Sequence, residues 1–403
     1  MNQVVPLKIF DILKDVVQGD IEHFLVTVHG SNKKGEGYLG EMFFVSLKDK
    51  RNGNQLNVVV KQAFSEENIR NLFPIRDAFL NEIYFYKKVW PKFKKFQEVI
   101  PSAYRFDNVA KCLASLSKDH YESLVLENLK YDGFVLQDKK ETLKRDTFEF
   151  IFKVYGRFHA ISFAYKELNP EEFSELINEF TDVWKTFGGL KTFQESIRLT
   201  QEQSLDSLKP GVDNEVIEKY RHYLDDGVEM LHKSFISSKY VCITHGDCWS
   251  NNMMFKYDET GKLVDLKLLD FQMFRLGSPV CDLAYCLYSG GTKAIFDDVD
   301  HFLRIYYDSL SENLREYGCD PDKIYPFQAI KNEWKVYCQL GFIVGMMVWR
   351  GKMTYEDDAV DLTDLSNNEE DLKKFFETNY DKETFQRTMR DIILHLFEND
   401  YLF

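Results

Sequence analysis

Residues 244–255, THGDCWSNNMMF, place side chains capable of chemistry between apolar residues. His245, Asp247 and Asn252 follow the spacing H-x-D-x-x-x-x-N, and a further carboxylate, Asp270, ends an apolar run 18 residues later. In phosphoryl transfer, one carboxylate accepts the proton of the attacking hydroxyl, while an Asn oxygen and a second carboxylate hold Mg²⁺ against the phosphates. Mg²⁺ keeps several waters, so two protein ligands are enough. The spacing therefore predicts Asp247 as catalytic base and Asn252 and Asp270 as Mg²⁺ ligands.

Such a site also needs a cation for the α- and β-phosphates of ATP, and the N-terminal half offers one. Lys61 follows three β-branched residues in VVVKQA, which is typical of a strand. Glu82 comes 21 residues later in FLNEIYFY, within a helical pattern. We expect Glu82 to fix Lys61, and Lys61 to contact the nucleotide.

Two further segments are candidates for nucleotide contacts. GEGYLG places Gly35, Gly37 and Gly40 in GxGxxG spacing between the first predicted strands, where backbone amides could cover the phosphates. The strand LVLENL ends near Glu127 and Leu129, whose backbone could hydrogen-bond adenine. A lone GxGxxG is weak evidence, so the prediction depends on all these signals occurring together and in the right order.

Other chemistries use part of the same stretch. Cys242, His245, Asp247 and Cys248 offer the S, N and O ligands of a zinc site, but that assignment leaves Lys61 without a role. A thiol nucleophile at Cys248 is a second alternative. We favour His245 as a residue that orients the loop through hydrogen bonds. We expect Asp282 to anchor the same loop, and His159 to pack or hydrogen-bond beneath it.

The elements that must position these residues form two blocks. In the first third of the chain, the residue pattern predicts a short helix at 8–17 and then strands at 23–30, 41–49, 55–64 and 121–129. Between the last two strands it predicts a helix that ends at Pro91. After residue 129 the pattern becomes mostly helical. We therefore expect an α+β bilobal fold like that of protein kinases, with an antiparallel N-terminal ATP-binding lobe at 1–128 and a helical lobe at 129–403.

Composition limits the partners. The 403 residues carry a net charge of −14, which disfavours nucleic acid and anionic membrane as main partners. The longest apolar run, at 340–349, is too short to span a bilayer, and the N-terminus does not resemble a signal peptide. Seven scattered cysteines without a CxxC pair indicate reduced thiols. We expect a cytoplasmic, monomeric protein.

The pieces KGEGYLGEMFF, VVVKQAF, FLNEIYFYKKVWPKF, LVLENL, FHAISFA, HGDCWSNNMMF and LLDFQMFRLGSPVCDLAYCLY together resemble the insect ecdysteroid kinase-like family, part of the wider choline/aminoglycoside kinase-like group. The resemblance runs over about residues 25–345. It implies Asp247 as base, Asn252 and Asp270 as Mg²⁺ ligands, and Lys61 with Glu82 at the ATP phosphates. It also implies an ecdysteroid or another steroid-like alcohol as acceptor.

Two departures argue against a protein kinase. Gly246 stands where protein kinases commonly have Arg, and only eleven residues separate Asp270 from Asp282, which leaves little room for an activation loop. A small-molecule alcohol is therefore the expected acceptor. The aromatic-rich segment at 334–349 suits either a bulky apolar ligand or plain core packing. A xenobiotic alcohol, choline or an aminoglycoside stays open as acceptor, and a non-catalytic pseudokinase that only binds ligand is the alternative from another class.

Overall fold

The computed structural model describes residues 7–17, 21–31, 39–223, 238–355, 358 and 378–401. The β-rich lobe contains α1 (Leu7–Val16), β1 (Phe24–Ser31), β2 (Gly40–Asp49), β3 (Gln55–Ala63), α2 (Glu67–Leu72), α3 (Ile75–Tyr84), α4 (Trp90–Phe96), β4 (Cys112–Leu116) and β5 (Ser123–Glu127). The helical lobe contains β6 (Phe134–Val135), α5 (Arg145–Leu168), α6 (Pro170–Ile177), α7 (Val183–Gly189), α8 (Lys191–Leu205), α9 (214–223), β7 (Cys242–Thr244), β8 (Met253–Tyr257), β9 (Leu263–Leu268), β10 (Arg275–Gly277), α10 (Pro279–Gly290), α11 (Lys293–Phe296), α12 (Val299–Glu316), α13 (Pro321–Ile324), α14 (Phe327–Met353) and α15 (Lys382–Glu398). The predicted boundary between residues 128 and 129 stays a prediction.

Five strands form one antiparallel sheet in the order β1-β2-β3-β5-β4. Four of them lie where the sequence predicts strands, and β4 was not predicted. Along β3, Val58 and Val60 are fully buried in an apolar cluster that includes Ile9 and Ile12 of α1. Because successive side chains alternate between the faces of a strand, Lys61 lies on the opposite face, which is turned away from α1.

The helix that carries Glu82 does not end at Pro91, so that prediction was wrong. α3 continues through a π-helical stretch at Phe85–Val89 directly into α4, where Pro91 occupies the first turn. Because proline has no N–H, Pro91 cannot donate the backbone hydrogen bond expected inside a continuous helix, and the π-helical stretch directly before it interrupts the regular α-helical pattern.

The helical lobe is built around two long helices that each pack along a partner. α5 packs against α12, and α14 packs against α10. The second pair approaches closely at Gly341, where an added Cβ would lie 2.4 Å from the backbone carbon of Ala284 and 2.5 Å from the nitrogen of Tyr285. This contact holds the backbone of α10 next to the loop that carries His245 and Asp247.

No helix among the described residues is both long and apolar enough to cross a membrane.

A hairpin in the helical lobe brings two of the predicted site residues to one place. β8 and β9 are antiparallel, with Met253 opposite Leu268. Asn252 directly precedes β8, and Asp270 follows β9 after one residue. The N–H of Leu269 donates to the carbonyl of Asn252 at 2.9 Å, which closes this end of the hairpin.

Candidate active site

Lys61 joins the two lobes. Its Nζ lies 2.8 Å from Oε2 of Glu82 and 2.7 Å from Oδ1 of Asp270, although Asp270 is 209 residues away in sequence. The Lys61 side chain is 12% exposed. Burial opposes its charge, but the carboxylates of Asp270 and Glu82 raise the pKa of Lys61, so the ammonium stays protonated. The predicted Lys61–Glu82 pair is therefore present, and Asp270 is its third member.

The helix α3 carries Glu82 and also holds the segment after Asp270. Asn81 Nδ2 donates to the carbonyls of Gln272 at 2.9 Å and Phe274 at 3.0 Å. Phe85, one turn after Asn81, stacks on Phe271 with ring centroids 3.7 Å apart. Because these contacts lie beside Asp270, the position of α3 determines where that carboxylate lies.

Asp270 has a left-handed backbone, with φ 63° and ψ 68°. Aspartate is among the few residues other than glycine that adopt this conformation readily. It turns the chain sharply after β9 and presents a carboxylate that is 30% exposed. Oδ1 is the oxygen that accepts from Lys61, so Oδ2 is the oxygen not used in that contact.

Asp247 is held by a hydrogen-bond donor on each oxygen. Asn252 Nδ2 donates to Oδ2 at 2.6 Å, and the hydroxyl of Tyr285 donates to Oδ1 at 2.7 Å. Burial and the nearby carboxylate of Asp270 raise the pKa of Asp247 to about 7, although both hydrogen bonds oppose the shift. The three residues expected to do the chemistry, Asp247, Asn252 and Asp270, therefore lie at one site.

His245 is engaged through both ring nitrogens. The N–H of Asp247 donates to Nδ1 at 3.2 Å, so the proton of the neutral ring is on Nε2, which donates to the carbonyl of Leu269 at 2.9 Å. Burial lowers the pKa of His245, consistent with a neutral ring. His245 thus ties the loop to the end of β9, which confirms the expectation that it orients the loop.

Asp282 anchors the same loop from α10, as expected. Its Oδ2 accepts from the N–H of His245 at 2.7 Å, and its Oδ1 accepts from the N–H of Gly246 at 3.0 Å. Beneath it, Nε2 of the buried His159 lies 3.2 Å from Oδ2. Burial opposes ionisation, but these hydrogen bonds and the adjacent histidines lower the pKa of Asp282. Both oxygens of the Asp282 carboxylate are therefore used in hydrogen bonds that hold the loop in place.

Gly246 sits where no larger residue fits. Its φ is 81°, and an added Cβ would lie 2.0 Å from the carbonyl oxygen of Met273. Gly246→Ala is expected to lower the free energy of unfolding by about 2–5 kcal/mol, which combines about 1–2 for the left-handed backbone with about 1–3 for the overlap. Urea denaturation measures it. Gly261→Ala is the matched control, because Gly261 has φ 79° and open space around its Cβ position. Equal losses in the two variants would show that the Met273 contact carries no cost.

The oxygens at the site suit a hard cation. Asn252 uses its amide nitrogen toward Asp247, and Asp270 uses Oδ1 toward Lys61. The remaining Oδ1 of Asn252 and Oδ2 of Asp270 are ligands of the kind that Mg²⁺ prefers.

The structure does not favour the alternative chemistries of this stretch. In the zinc alternative, His245 could not serve as a ligand, because both its ring nitrogens are already hydrogen-bonded. Within the described ranges, no group of three or more His, Cys, Asp or Glu is arranged to hold a metal. Cys248 is fully buried, and burial raises the pKa of its thiol well above the usual value.

Besides Lys61, the glycine-rich turn and the end of β5 are predicted to contact the nucleotide. Gly35 and Gly37 lie outside the described residues. Gly40 pairs with Ala63 in the sheet, and an added Cβ would lie 2.3 Å from the carbonyl oxygen of Gln62, so packing alone explains this glycine. At the end of β5, the N–H of Glu127 donates to the carbonyl of Lys111, and the carbonyl of Leu129 accepts from the N–H of Gly133. The carbonyl of Glu127 and the N–H of Leu129 are the candidates for adenine.

Two side chains at the site were missed by the sequence reasoning. Tyr285 lies three residues after Asp282 on α10, so both fall on one helix face, and this spacing is the signal that could have found it. Trp184 on α7 donates from Nε1 to the carbonyl of Gly246 at 2.8 Å. Nothing in the local sequence indicates this contact, because residues 182–184 are far from the loop along the chain.

The sequence profile of the ecdysteroid kinase-like family matches residues 34–319. The chain belongs to the ecdysteroid kinase-like family. Its members are phosphotransferases, so the chain is a small-molecule kinase, and the α+β bilobal kinase-like fold predicted from sequence is confirmed. No curated protein matches the chain.

Solved phosphotransferase structures resemble the chain only loosely. Spectinomycin phosphotransferase APH(9)-Ia, in complex with ADP and spectinomycin, has a TM-score of 0.45 at 11% identity and covers 97% of this chain and 99% of its own. Aminoglycoside-3'-phosphotransferase of type VIII has a TM-score of 0.38 at 14% identity, and the match covers 85% of this chain and 99% of that enzyme. The GDP and kanamycin complex of APH(2")-IIia has a TM-score of 0.39 at 15% identity, covering 82% and 99%. At this low similarity, neither a residue role nor an acceptor is assigned to the chain from these structures.

Proposed function

We propose that this kinase is an ATP-dependent O-phosphotransferase that phosphorylates a hydroxyl of an ecdysteroid or a similar bulky, uncharged alcohol. The main support is the geometry at Lys61, whose ammonium contacts Glu82 and Asp270 at 2.8 and 2.7 Å. At the same end of the β8–β9 hairpin, Asn252 donates to Asp247. A cation for phosphates, two oxygen ligands for Mg²⁺ and a carboxylate base are the parts that phosphoryl transfer needs.

Each residue has one task in the proposed reaction. Asp247 accepts the proton of the acceptor hydroxyl as the acceptor oxygen forms its bond to the γ-phosphorus and the bond from that phosphorus to ADP breaks. Lys61, fixed by Glu82, donates to the α- and β-phosphates. Asn252 and Asp270 would hold Mg²⁺, which supplies charge neutralisation. Since no protein bond is made or broken, the rate comes from positioning and electrostatics.

The proposed acceptor site includes a cavity lined by Gly246 and Tyr285, which respectively precede Asp247 in the chain and hydrogen-bond to it. It is partly open to solvent, and the closed space within it is about the size of one water molecule. Its lining is largely apolar and comes from the catalytic loop, α7, α10 and α14, with Leu340 and Val344 from the aromatic-rich segment. Such a lining favours an apolar molecule that reaches Asp247 with one hydroxyl, and a bulky acceptor requires this cavity to widen.

Charge in this cavity argues against choline and aminoglycosides. Among the described residues that line it, the carboxylate is Asp282, and both its oxygens already accept from loop amides. The other charged side chain among these lining residues is the cation Arg275, which forms an ion pair with Asp182 at 2.8 Å. Apart from the proposed base Asp247, the described lining residues would offer an ammonium group a cation and no free carboxylate, which makes desolvation of that group costly.

An alcohol panel tests this proposal. Purified protein is incubated with ATP and Mg²⁺ and, separately, an ecdysteroid, uncharged plant phenolics, choline and kanamycin, and phosphate esters are detected by mass spectrometry. We expect esters of the uncharged alcohols only. Esters of choline or kanamycin would contradict the acceptor class. A thermal shift with ATP and Mg²⁺ but no ester from any alcohol would contradict the enzyme assignment and favour a binding module.

A further inference from the structure

Tyr285 of α10 both contacts the carboxylate of Asp247 and is among the residues that line the cavity described above. Its hydroxyl donates to Oδ1 of Asp247 at 2.7 Å. Asn252 donates to the other oxygen of the same carboxylate at 2.6 Å. Together the two donors fix the rotation of the carboxylate about its bond to Cβ.

The fold holds Tyr285 firmly in this place. One turn earlier on α10, Asp282 binds the loop amides of His245 and Gly246, so α10 contacts the loop over two successive turns. On the other side, Gly341 of α14 packs against the backbone nitrogen of Tyr285. Tyr285 is only 6% exposed. Because the backbone of α10 is restrained on both sides at this point, Tyr285 can set the angle of the base rather than follow it.

We propose that Tyr285 is a positioning residue for phosphoryl transfer, turning Oδ1 of Asp247 toward the cavity so that the acceptor hydroxyl binds this oxygen. A carboxylate oxygen has two lone pairs, so Oδ1 can accept from Tyr285 and from the acceptor at once. Tyr285 keeps its own proton throughout, and the proton of the acceptor passes to Asp247. This role rests on the proposed function and adds a residue to it.

Tyr285→Phe tests the role, because it keeps the ring and removes only the donor. With a rotated base we expect kcat for ester formation to fall about 10- to 100-fold, the scale of a misplaced reacting group. The KM for ATP should stay within about twofold, since neither Lys61 nor Asp270 is touched. Tyr288→Phe is the matched control. It removes a buried hydroxyl one turn later on α10, where the ring packs near Trp334, and its kcat should equal that of wild type.

The double variant Asp247→Asn/Tyr285→Phe separates positioning from general stability. If Tyr285 acts through Asp247, removing its hydroxyl costs nothing further once the base is gone, and the double variant matches Asp247→Asn. Equal kcat in Tyr285→Phe and wild type would overturn the role. So would equal losses in Tyr285→Phe and Tyr288→Phe, or fully multiplying losses in the double variant. Absence of ester formation by wild type is a different result, which refutes the proposed function and this role with it.

Discussion

Asp247→Asn is expected to lower kcat for phosphate-ester formation by about 10²- to 10⁴-fold, the usual contribution of a general base. Asparagine has nearly the shape of aspartate but no carboxylate oxygen to take the proton of the acceptor. The substitution lies at one end of a loop held independently by Asp282 and His245. We therefore expect the fold and ATP binding to survive.

Steady-state kinetics with saturating ATP and a responsive alcohol measure this loss, and thermal shift with ATP and Mg²⁺ measures binding. Asp308→Asn is the control, because Asp308 is an exposed residue on α12. It loses the same charge without touching the site. If Asp247→Asn turns over at the wild-type rate, another group takes the proton and the proposed mechanism is wrong.

Sequence could predict the site because each part has a local signature. Lys61 follows a β-branched run, Glu82 sits in a helical pattern, and Asp247 and Asn252 share one short motif. Each signature places its residue on the correct element, and the known order of these elements in phosphotransferases relates them. The 2.7 Å contact between Lys61 and Asp270, which are 209 residues apart, brings two of the predicted residues together, although a direct pair between them was not predicted.

The parts that could not be predicted depend on how helices pack. Tyr285 reaches Asp247 only because α14 presses on α10 at Gly341, and Trp184 reaches the loop only because α7 lies over it. The Trp184 contact leaves no periodic or compositional signal, and the spacing of Tyr285 from Asp282 gives only its helix face, not its contact with Asp247. Pro91 failed as a helix stop for a related reason. The helix continues through a π-helical stretch directly before Pro91, and a local proline rule does not foresee that stretch.

The link between the lobes has a consequence for nucleotide binding. Glu82, Asn81 and Phe85 lie on consecutive parts of one helical segment, and they contact Lys61, the residues after Asp270, and Phe271. A shift of α3 would therefore move Lys61, the proposed phosphate-binding cation, and Asp270, the proposed metal ligand, together. Such coupling keeps their separation constant, as a Mg²⁺–phosphate complex between them requires.

Asp270→Asn is expected to lower kcat by about 10³-fold, since removing a charged metal ligand costs about 4 kcal/mol of transition-state stabilisation. Asparagine is chosen because it tolerates the left-handed backbone at this position, where φ is 63°, better than alanine does. Lys61 keeps Glu82 as partner, so the β-rich lobe should remain folded.

A Mg²⁺ titration at fixed ATP distinguishes this variant from the loss of the base. Asp270→Asn should need more Mg²⁺ to reach half of its maximal rate, whereas Asp247→Asn should keep the wild-type requirement because the base does not depend on the metal contact. Asp265→Asn, on the same strand β9 and bonded to Asn108, is the control. An unchanged Mg²⁺ requirement together with wild-type kcat in Asp270→Asn would remove Asp270 from the metal site. Its contact with Lys61 would then be a purely structural bridge between the lobes.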